Sequence, residues 1–168
     1  MSQLLVDAGV NRNVVVAAGA LVENSIERVF DFTVAEDVIT KFLKGEPAVT
    51  GYEVHQGPWG QPGAFRTVHF GDKTAREQIN YFARPFLFDY QLTDFSWELN
   101  EICDLAVNQF LFRSVGPRTL VKFYYQFRAR NAEAVEPLYE FANTTWLAWM
   151  HSYLDATKKA LDKDPFSA

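Results

Sequence analysis

Arg66 and Glu77 are the two residues whose types and spacing most clearly suggest chemistry. Gly71 and Asp72 between them match the two-residue turn of a tight β-hairpin, which would place Arg66 opposite Glu77 on paired strands. If that sheet face is covered, the two side chains form a buried, charge-assisted hydrogen bond. Arg66 could then hold a ligand carboxylate or enolate, with Glu77 as its orienting partner or as a proton acceptor. The alternative is a cross-strand ion pair with a purely structural role.

Several further side chains are candidates for the wall of a ligand cavity. Tyr81, Tyr90, Asn108 and Tyr125 are predicted to place polar tips on an otherwise apolar inner wall. A ligand cavity has this composition, mostly apolar with a few placed donors and acceptors, but core tyrosines whose hydroxyl groups reach the surface give the same pattern. The apolar members of the predicted wall are Phe110, Phe123, Phe141 and Trp149.

Other kinds of active site are not indicated. His55, His69 and His151 are far apart in sequence, and none has a second ligand-type residue at metal-binding spacing, so no metal site is predicted. The chain lacks the G-x-S-x-G, P-loop and G-x-G-x-x-G motifs, and no cofactor is predicted. Acidic residues beside the single cysteine, Cys103, are expected to raise the pKa of its thiol and reduce its reactivity.

The composition indicates one globular domain over residues 1–168, with a lead-in at 1–12 and a core at 13–163. The chain is 15% aromatic and carries a net charge of −5 without a run of Lys and Arg, so nucleic acid is not an expected partner. A single cysteine fits a reducing compartment, no signal peptide is recognised, and the apolar run 14–22 is too short to span a membrane. A cytoplasmic monomer or homodimer is expected.

The elements that must position these residues follow from hydrophobic periodicity and turn residues. Residues 13–23 are predicted to form a buried strand, and capping-box patterns beginning at Asn24 and Thr33 predict two short helices. Gly45 and Pro47 are predicted to close the second helix. An acidic loop is expected around 98–104. Six more strands are predicted at 49–56, 64–70, 73–83, 87–95, 105–115 and 118–129.

Alternation along the strands assigns their faces. The residues predicted to face inward on the two strands after Gly71 are Glu77, Ile79, Tyr81, Ala83, Phe88, Tyr90 and Leu92. The last hairpin, with Gly116 and Pro117 as its loop, pairs three inward positions: Val121 with Phe112, Phe123 with Phe110, and Tyr125 with Asn108. A shift of one residue in either hairpin would reverse every one of these faces.

Residues 134–163 form the only long helical pattern. Pro137 is predicted to lie in the first turn, where its missing N–H costs nothing. The predicted inner face is Val135, Leu138, Ala142, Thr145, Trp149, Ser152 and Ala156, widened by Phe141, Trp146, Met150 and Tyr153. A seven-stranded, curved antiparallel sheet around this helix, an α+β fold, satisfies both patterns.

Five features fit one known pattern: two helices after the first strand, the segments 63–68 and 88–92, the pair Arg76–Glu77, and the closing aromatic helix. Together they resemble the START/SRPBCC superfamily, the helix-grip proteins that include the birch-pollen allergen and polyketide cyclase/dehydrase-like proteins. The first helix departs from relatives in lacking the Pro-Glu lead-in and the Trp, whose position Phe30 takes. The resemblance implies an apolar cavity between sheet and helix, and binding or chemistry on a hydrophobic ligand.

Three functions are consistent with this pattern. The first is binding of a small hydrophobic molecule, such as a lipid, a polyketide or an aromatic compound. The second is an enzyme of the polyketide cyclase, aromatase or dehydratase type, with Arg66 and Glu77 as its catalytic candidates. The third is a partner-binding regulator or a quinone chaperone, which an exposed apolar patch near Trp59 and Trp97 would favour.

Overall fold

The computed structural model describes residues 11–42 and 48–163, and these residues form seven strands, three short helices and a long C-terminal helix. The elements before the last two strands are β1 (Asn13–Val22), α1 (Ile26–Val34), α2 (Val38–Phe42), β2 (Gly51–Gln56), β3 (Phe65–Phe70), β4 (Lys73–Ala83), β5 (Leu87–Thr93) and α3 (Leu99–Ile102). They are followed by β6 (Cys103–Val115), β7 (Arg118–Ala129), α4 (Val135–Phe141), a π-helical turn (Ala142–Trp146) and α5 (Leu147–Leu161).

The predicted order of elements is confirmed, with one difference in the acidic segment. The predicted loop at 98–104 contains the short helix α3 and the start of β6. Gly45 and Pro47, predicted to close the second helix, and most of the predicted lead-in lie outside the described residues. None of the helices in the described part of the chain is long and apolar enough to cross a membrane.

All seven strands belong to one antiparallel sheet, in the order β1-β7-β6-β5-β4-β3-β2. Both predicted hairpin turns are present, because Gly71 and Gly116 supply the positive φ angles, 68° and 60°, that these turns need. The registers follow, with Arg66 opposite Glu77 and Phe110 opposite Phe123. The turn residues therefore correctly predicted which side chains meet on the inner face.

A β-bulge in β4 reverses two of the predicted faces. Ile79 lies opposite Tyr90, but Tyr81 lies opposite Asp89, so one extra residue is inserted between them. Tyr81, predicted to face inward, is on the outer face and 54% exposed. Ala83, also predicted inward, changes face with it, and Phe82 packs inside against Phe30, with ring centroids 5.2 Å apart. Strict alternation cannot reveal such an insertion.

The core lies between the inner face of the sheet and the C-terminal helix, and aromatic rings fill most of it. Phe110 stacks on Phe123 with centroids 4.0 Å apart, and Tyr125 meets Trp146 edge-on at 5.2 Å. These four side chains are at most 2% exposed. Rings at such distances favour offset and edge-on packing and contribute stability beyond their buried area.

The C-terminal helix buries part of the predicted face, including Leu138, Ala142 and Trp149. Pro137 lies in the first turn of α4, as predicted, but Thr145 and Ser152 are exposed. The buried residues along the helix are Leu138, Ala142, Trp146, Trp149, Met150, Tyr153, Leu154, Thr157 and Leu161. From 138 to 142, from 142 to 146 and from 146 to 150, the buried residues follow one another at intervals of four residues. This interval is longer than the 3.6-residue period of an α-helix. The π-helical turn absorbs the excess residue.

Candidate functional site

The Arg66–Glu77 pair lies on the inner face of β3 and β4 and is almost fully buried, at 2% and 4% exposure. Arg66 Nε donates to Glu77 Oε2 at 2.5 Å. Arg66 Nη1 donates to the backbone oxygen of Glu36, in the α1–α2 connection, at 2.6 Å. The guanidinium also lies over the ring of Trp59, 3.8 Å from its centroid. Arg66 therefore joins the sheet to two connecting segments that cover it.

Trp59 covers this pair from the turn between β2 and β3. Its indole N–H donates to the backbone oxygen of Val34 at 3.2 Å, and its ring meets Phe88 edge-on at 6.3 Å. The side chain is half-buried. This geometry makes Trp59 a cap on the core and leaves its ring at the boundary with solvent.

Two small cavities lie between the sheet and the helix on either side of Glu77. Cavity A is bordered by Glu77 with Tyr125, Trp146 and residues of β3 and β5, and cavity B by Glu77 with Arg66 and residues of α1. Each has a volume of about 20 Å³, which is room for about one water molecule. Ile39, Glu77, Tyr90 and Trp149 border both. Neither cavity, as it stands, is large enough for an aromatic ring, so a ligand-sized cavity stays a prediction.

Three buried tyrosines surround the carboxylate. The hydroxyl groups of Tyr90 and Tyr125 are 2.7 Å apart and hydrogen-bonded to each other. The hydroxyl of Tyr153 donates to the backbone oxygen of Thr33 at 2.8 Å. Burial raises the pKa of all three phenols above the usual value, and the Glu77 charge adds to the effect. At neutral pH all three are therefore uncharged and able to donate.

The free energy of unfolding is expected to fall as the pH rises above about 10. Tyr90, Tyr125 and Tyr153 keep their protons in the folded protein, because burial raises their pKa, whereas the unfolded chain releases them near pH 10. Their contribution to the free energy of unfolding is complete below the pKa of tyrosine in the unfolded chain. It is lost as the pH rises toward the higher pKa values of the folded protein. Each tyrosine adds a slope of about 1.4 kcal/mol per pH unit.

Urea unfolding at several pH values between about 9 and 11 measures this slope. Tyr153→Phe should flatten it, and Tyr139→Phe, at a residue 60% exposed, should leave it unchanged. An unfolding free energy that stays constant across this range contradicts the assignment of buried, protonated tyrosines.

Several buried polar atoms at this place lack a partner. Among the described residues, the indole Nε1 atoms of Trp146 and Trp149 and the Oδ1 atom of Asn108 are fully buried without a hydrogen bond. Glu77 accepts a hydrogen bond from Arg66 through Oε2, and no hydrogen bond to its Oε1 is found there. Buried donors and acceptors are almost always paired. The two indole groups border cavity A and so mark a place where an additional polar group would fit, whereas Asn108 borders neither cavity.

The structure brings six of the ten predicted wall residues to the two cavities: Arg66, Glu77, Tyr90, Phe110, Tyr125 and Trp149. Phe123 lies beneath them against Phe110, Asn108 donates to the backbone of Tyr124, and Phe141 packs at the start of the helix against Phe127. Tyr81 is on the outer face.

Sequence reasoning did not select many of the wall residues, among them Ile39, Trp146 and Tyr153. Trp146 and Tyr153 belonged to the predicted aromatic flank of the helix, and the π-helical turn that ends at Trp146 was not predicted. Ile39 carried the helical spacing of the second short helix, and no polar group distinguished it. The spacing of the aromatic residues at 146, 149 and 153 was the sequence signal that could have identified Trp146 and Tyr153 as wall residues.

The remaining candidates lie away from this place. His55 and His69 are on the outer face beside Thr67 and Glu53, and His151 is exposed. No group of three or more His, Cys, Asp or Glu residues within 11–42 and 48–163 could hold a metal ion. Burial raises the pKa of the Cys103 thiol to about 11, and the neighbouring Asp104 contributes, so burial acts more strongly here than the predicted acidic neighbours.

Comparison with known proteins identifies the fold. No protein-family model matches the chain, and no curated protein matches its sequence. Among solved structures, it is similar to major latex-like protein 151 from Panax ginseng, with a TM-score of 0.73, 13% identity, and coverage of 90% of this chain and 99% of that one. The corresponding values for the protein Ara h 8.0201 are 0.68, 13%, 90% and 99%.

The chain is also similar to norcoclaurine synthase from Thalictrum flavum, solved in complex with dopamine and hydroxybenzaldehyde. The TM-score is 0.71 at 15% identity, over 92% of this chain and 90% of that one. These neighbours are members of the Bet v 1/START/SRPBCC superfamily. The seven-stranded curved sheet, the two short helices after β1 and the long C-terminal helix are thus the helix-grip fold of that superfamily, as the sequence resemblance indicated.

Proposed function

We propose that this chain binds a small, largely apolar molecule between the sheet and the C-terminal helix, with the polar end of the molecule at Glu77. The observation that carries the proposal is the position of a buried carboxylate at the border of two cavities with aromatic walls, with Oε1 not hydrogen-bonded to any residue in the described part of the chain. Apolar walls with a few convergent polar groups are typical of ligand sites.

Binding of a ring requires part of the wall to move, because each cavity holds only about one water molecule. The half-buried residues Ile39 and Trp59 form the outer part of the cavity wall. Ile39 belongs to α2, which has only five residues. An outward shift of α2 would enlarge both cavities, since Ile39 borders each of them. The ligand then replaces packing contacts of Ile39 with its own.

An enzyme of the polyketide cyclase, aromatase or dehydratase type is the second candidate. Its support is the juxtaposition of a carboxylate oxygen that can accept a proton with phenols that stay neutral and can donate a hydrogen bond. Glu77 would act as general base and Tyr90 or Tyr125 as hydrogen-bond donor to the developing negative charge. Norcoclaurine synthase, an enzyme by name, has the same fold.

The third function considered, partner binding or quinone chaperoning, has less support. It called for an exposed apolar patch near Trp59 and Trp97. Trp59 is half-buried over Arg66, and Trp97 is half-buried against Phe70 and Phe95, with centroids 5.6 and 5.3 Å away.

Native mass spectrometry of gently purified protein, followed by solvent extraction, is the first test of binding. A bound apolar molecule of defined mass is the expected result. A titration with the neutral probe N-phenyl-1-naphthylamine, followed by quenching of tryptophan fluorescence, then measures affinity. We expect Val68→Phe, which enlarges a side chain bordering cavity A, to weaken binding at least about tenfold, equivalent to about 1.4 kcal/mol.

The matched control is Val107→Phe, the same change on the outer face of the sheet. It should bind the probe as wild type does. Equal weakening by both variants would place the probe elsewhere, and a clean unliganded mass together with no probe binding would contradict the proposal. Turnover of a candidate substrate that survives in Glu77→Gln would remove Glu77 from the enzymatic alternative.

A further inference from the structure

We infer that the indole N–H groups of Trp146 and Trp149 together bind one neutral carbonyl oxygen of an aromatic ketone in cavity A. This inference rests on the proposed function and names the ligand class that the site would select. It also assigns Trp146 and Trp149 a role in recognition, beyond their contribution to the aromatic core.

The two indole groups are donors that the folded chain leaves unused. An indole N–H can donate and cannot accept, and both Nε1 atoms are buried without a hydrogen bond in the described part of the chain. Leaving a buried donor unpaired costs about 1–3 kcal/mol. The two indole rings are neighbours, with centroids 5.1 Å apart, and both rings border cavity A. An acceptor atom that reaches both Nε1 atoms from the cavity would pair with both donors.

The rings are held in place before any ligand arrives. Trp146 is packed edge-on against Tyr125 at 5.2 Å and against Phe127 at 5.6 Å. Trp149 packs against Phe123 at 6.2 Å and Tyr153 at 6.0 Å. The π-helical turn ends at Trp146, and such turns are frequent at functional sites. Preorganised donors lose little entropy when an acceptor binds.

The cavity's size and charge select the acceptor. Its volume of about 20 Å³ suits a single oxygen atom, and a carbonyl oxygen has two lone pairs for two donors. Glu77 borders cavity A, whereas Arg66, which pairs with it, does not. A ligand carboxylate in cavity A would therefore meet the Glu77 carboxylate without reaching the Arg66 cation directly. The surrounding wall is aromatic, so a conjugated ring attached to the carbonyl packs favourably against it. A neutral aromatic ketone meets all three conditions.

Three probes with one ring and different head groups test the inference: acetophenone, 2-phenylpropene, in which a CH₂ group replaces the oxygen, and benzoate. The measurement is a titration of protein carrying ¹⁵N-labelled tryptophan, followed by NMR of the indole N–H resonances. Acetophenone should bind about tenfold more tightly than 2-phenylpropene, as two net hydrogen bonds allow, and more tightly than benzoate. The Trp146 and Trp149 resonances should move downfield with acetophenone only.

Two variants locate the effect. Trp149→Phe keeps an aromatic ring and removes one donor, and it should reduce the preference for acetophenone by about threefold or more. Trp97 does not border cavity A, although its ring packs against the wall residue Phe70. Trp97→Phe therefore removes an indole N–H outside the cavity, and it should leave the preference unchanged. The NMR titration of the wild type needs no variant, so it decides even if Trp149→Phe folds poorly.

The possible outcomes distinguish a failure of this inference from a failure of the proposed function on which it rests. Equal affinity for acetophenone and 2-phenylpropene, with unmoved indole resonances, would mean that the two indoles retain a water molecule, and it overturns the inference while ligand binding stands. Tightest binding of benzoate overturns the assignment of a neutral acceptor. Binding of none of the three probes contradicts both the inference and the proposed function.

Discussion

Arg66→Ala is expected to lower the free energy of unfolding by about 3–5 kcal/mol, the usual cost of leaving one member of a buried ion pair without its partner. Glu77 is 4% exposed and would keep a charge that no other described cation pairs. The variant also removes the hydrogen bond to Glu36 and the stacking contact with Trp59. Urea unfolding at neutral pH, followed by circular dichroism, measures the loss.

The matched control is Arg128→Ala. Arg128 also donates to a carboxylate through Nε, at 2.7 Å from Asp104, but its side chain is 46% exposed, so its loss should cost less than about 1 kcal/mol. Glu77→Gln retains shape and exchanges only the charge, and about 1.5–3 kcal/mol is expected for the lost charge-assisted bond. Equal small losses in Arg66→Ala and Arg128→Ala would contradict a desolvated pair.

A double variant distinguishes the structural role of this pair from a functional one. Replacing both partners of a buried ion pair by apolar side chains is often neutral or stabilising, so Arg66→Met combined with Glu77→Leu should recover most of the stability lost in Arg66→Ala. If the pair serves ligand binding, the recovered protein should still bind the naphthylamine probe weakly or not at all. Stability and binding would then have different requirements at the same two residues.

The parts of the fold that depend on turns were predictable from sequence. Gly71 and Gly116 fix two hairpins through their positive φ angles, and the register that follows placed Arg66 opposite Glu77. Period-2 alternation then predicted the inner faces of β5, β6 and β7. These signals are local, and each depends on a few residues whose conformational preferences are strong.

The errors come from single-residue insertions, which leave little trace in a pattern of apolar residues. The bulge before Tyr81 reverses the faces at the end of β4, and the π-helical turn shifts the buried face so that Thr145 and Ser152 are exposed. For the site, this meant that the aromatic flank of the helix was recognised, but the role of Trp146 at cavity A was not.

The π-helical turn leads to the second prediction, which compares two deletions in the same helix. A π-turn is an α-helix that holds one extra residue, so deletion of the exposed Thr144 should restore regular α-helix and keep the faces on both sides of the turn. The expected loss of stability is less than about 2 kcal/mol, within the range of ordinary point mutations. Thr144 gives up one hydrogen bond, from its hydroxyl to the Glu140 backbone.

Deletion of Ser152, which is also exposed, should be far more damaging. In a regular α-helix the removal of one residue rotates everything that follows by about 100°, and this would turn Tyr153, Leu154 and Leu161 out of the core. Each buried side chain of this size contributes about 1.5–3 kcal/mol, so the combined loss approaches the whole stability of a typical domain.

Urea unfolding of the two deletion variants, together with the tryptophan fluorescence of each folded state, measures the difference. Retention of a cooperative transition after deletion of Thr144, and its loss after deletion of Ser152, is the expected pair of results. Comparable damage from both deletions would mean that the π-turn is itself required for packing. The protein would then need the π-turn, and the position that it gives Trp146, in order to fold.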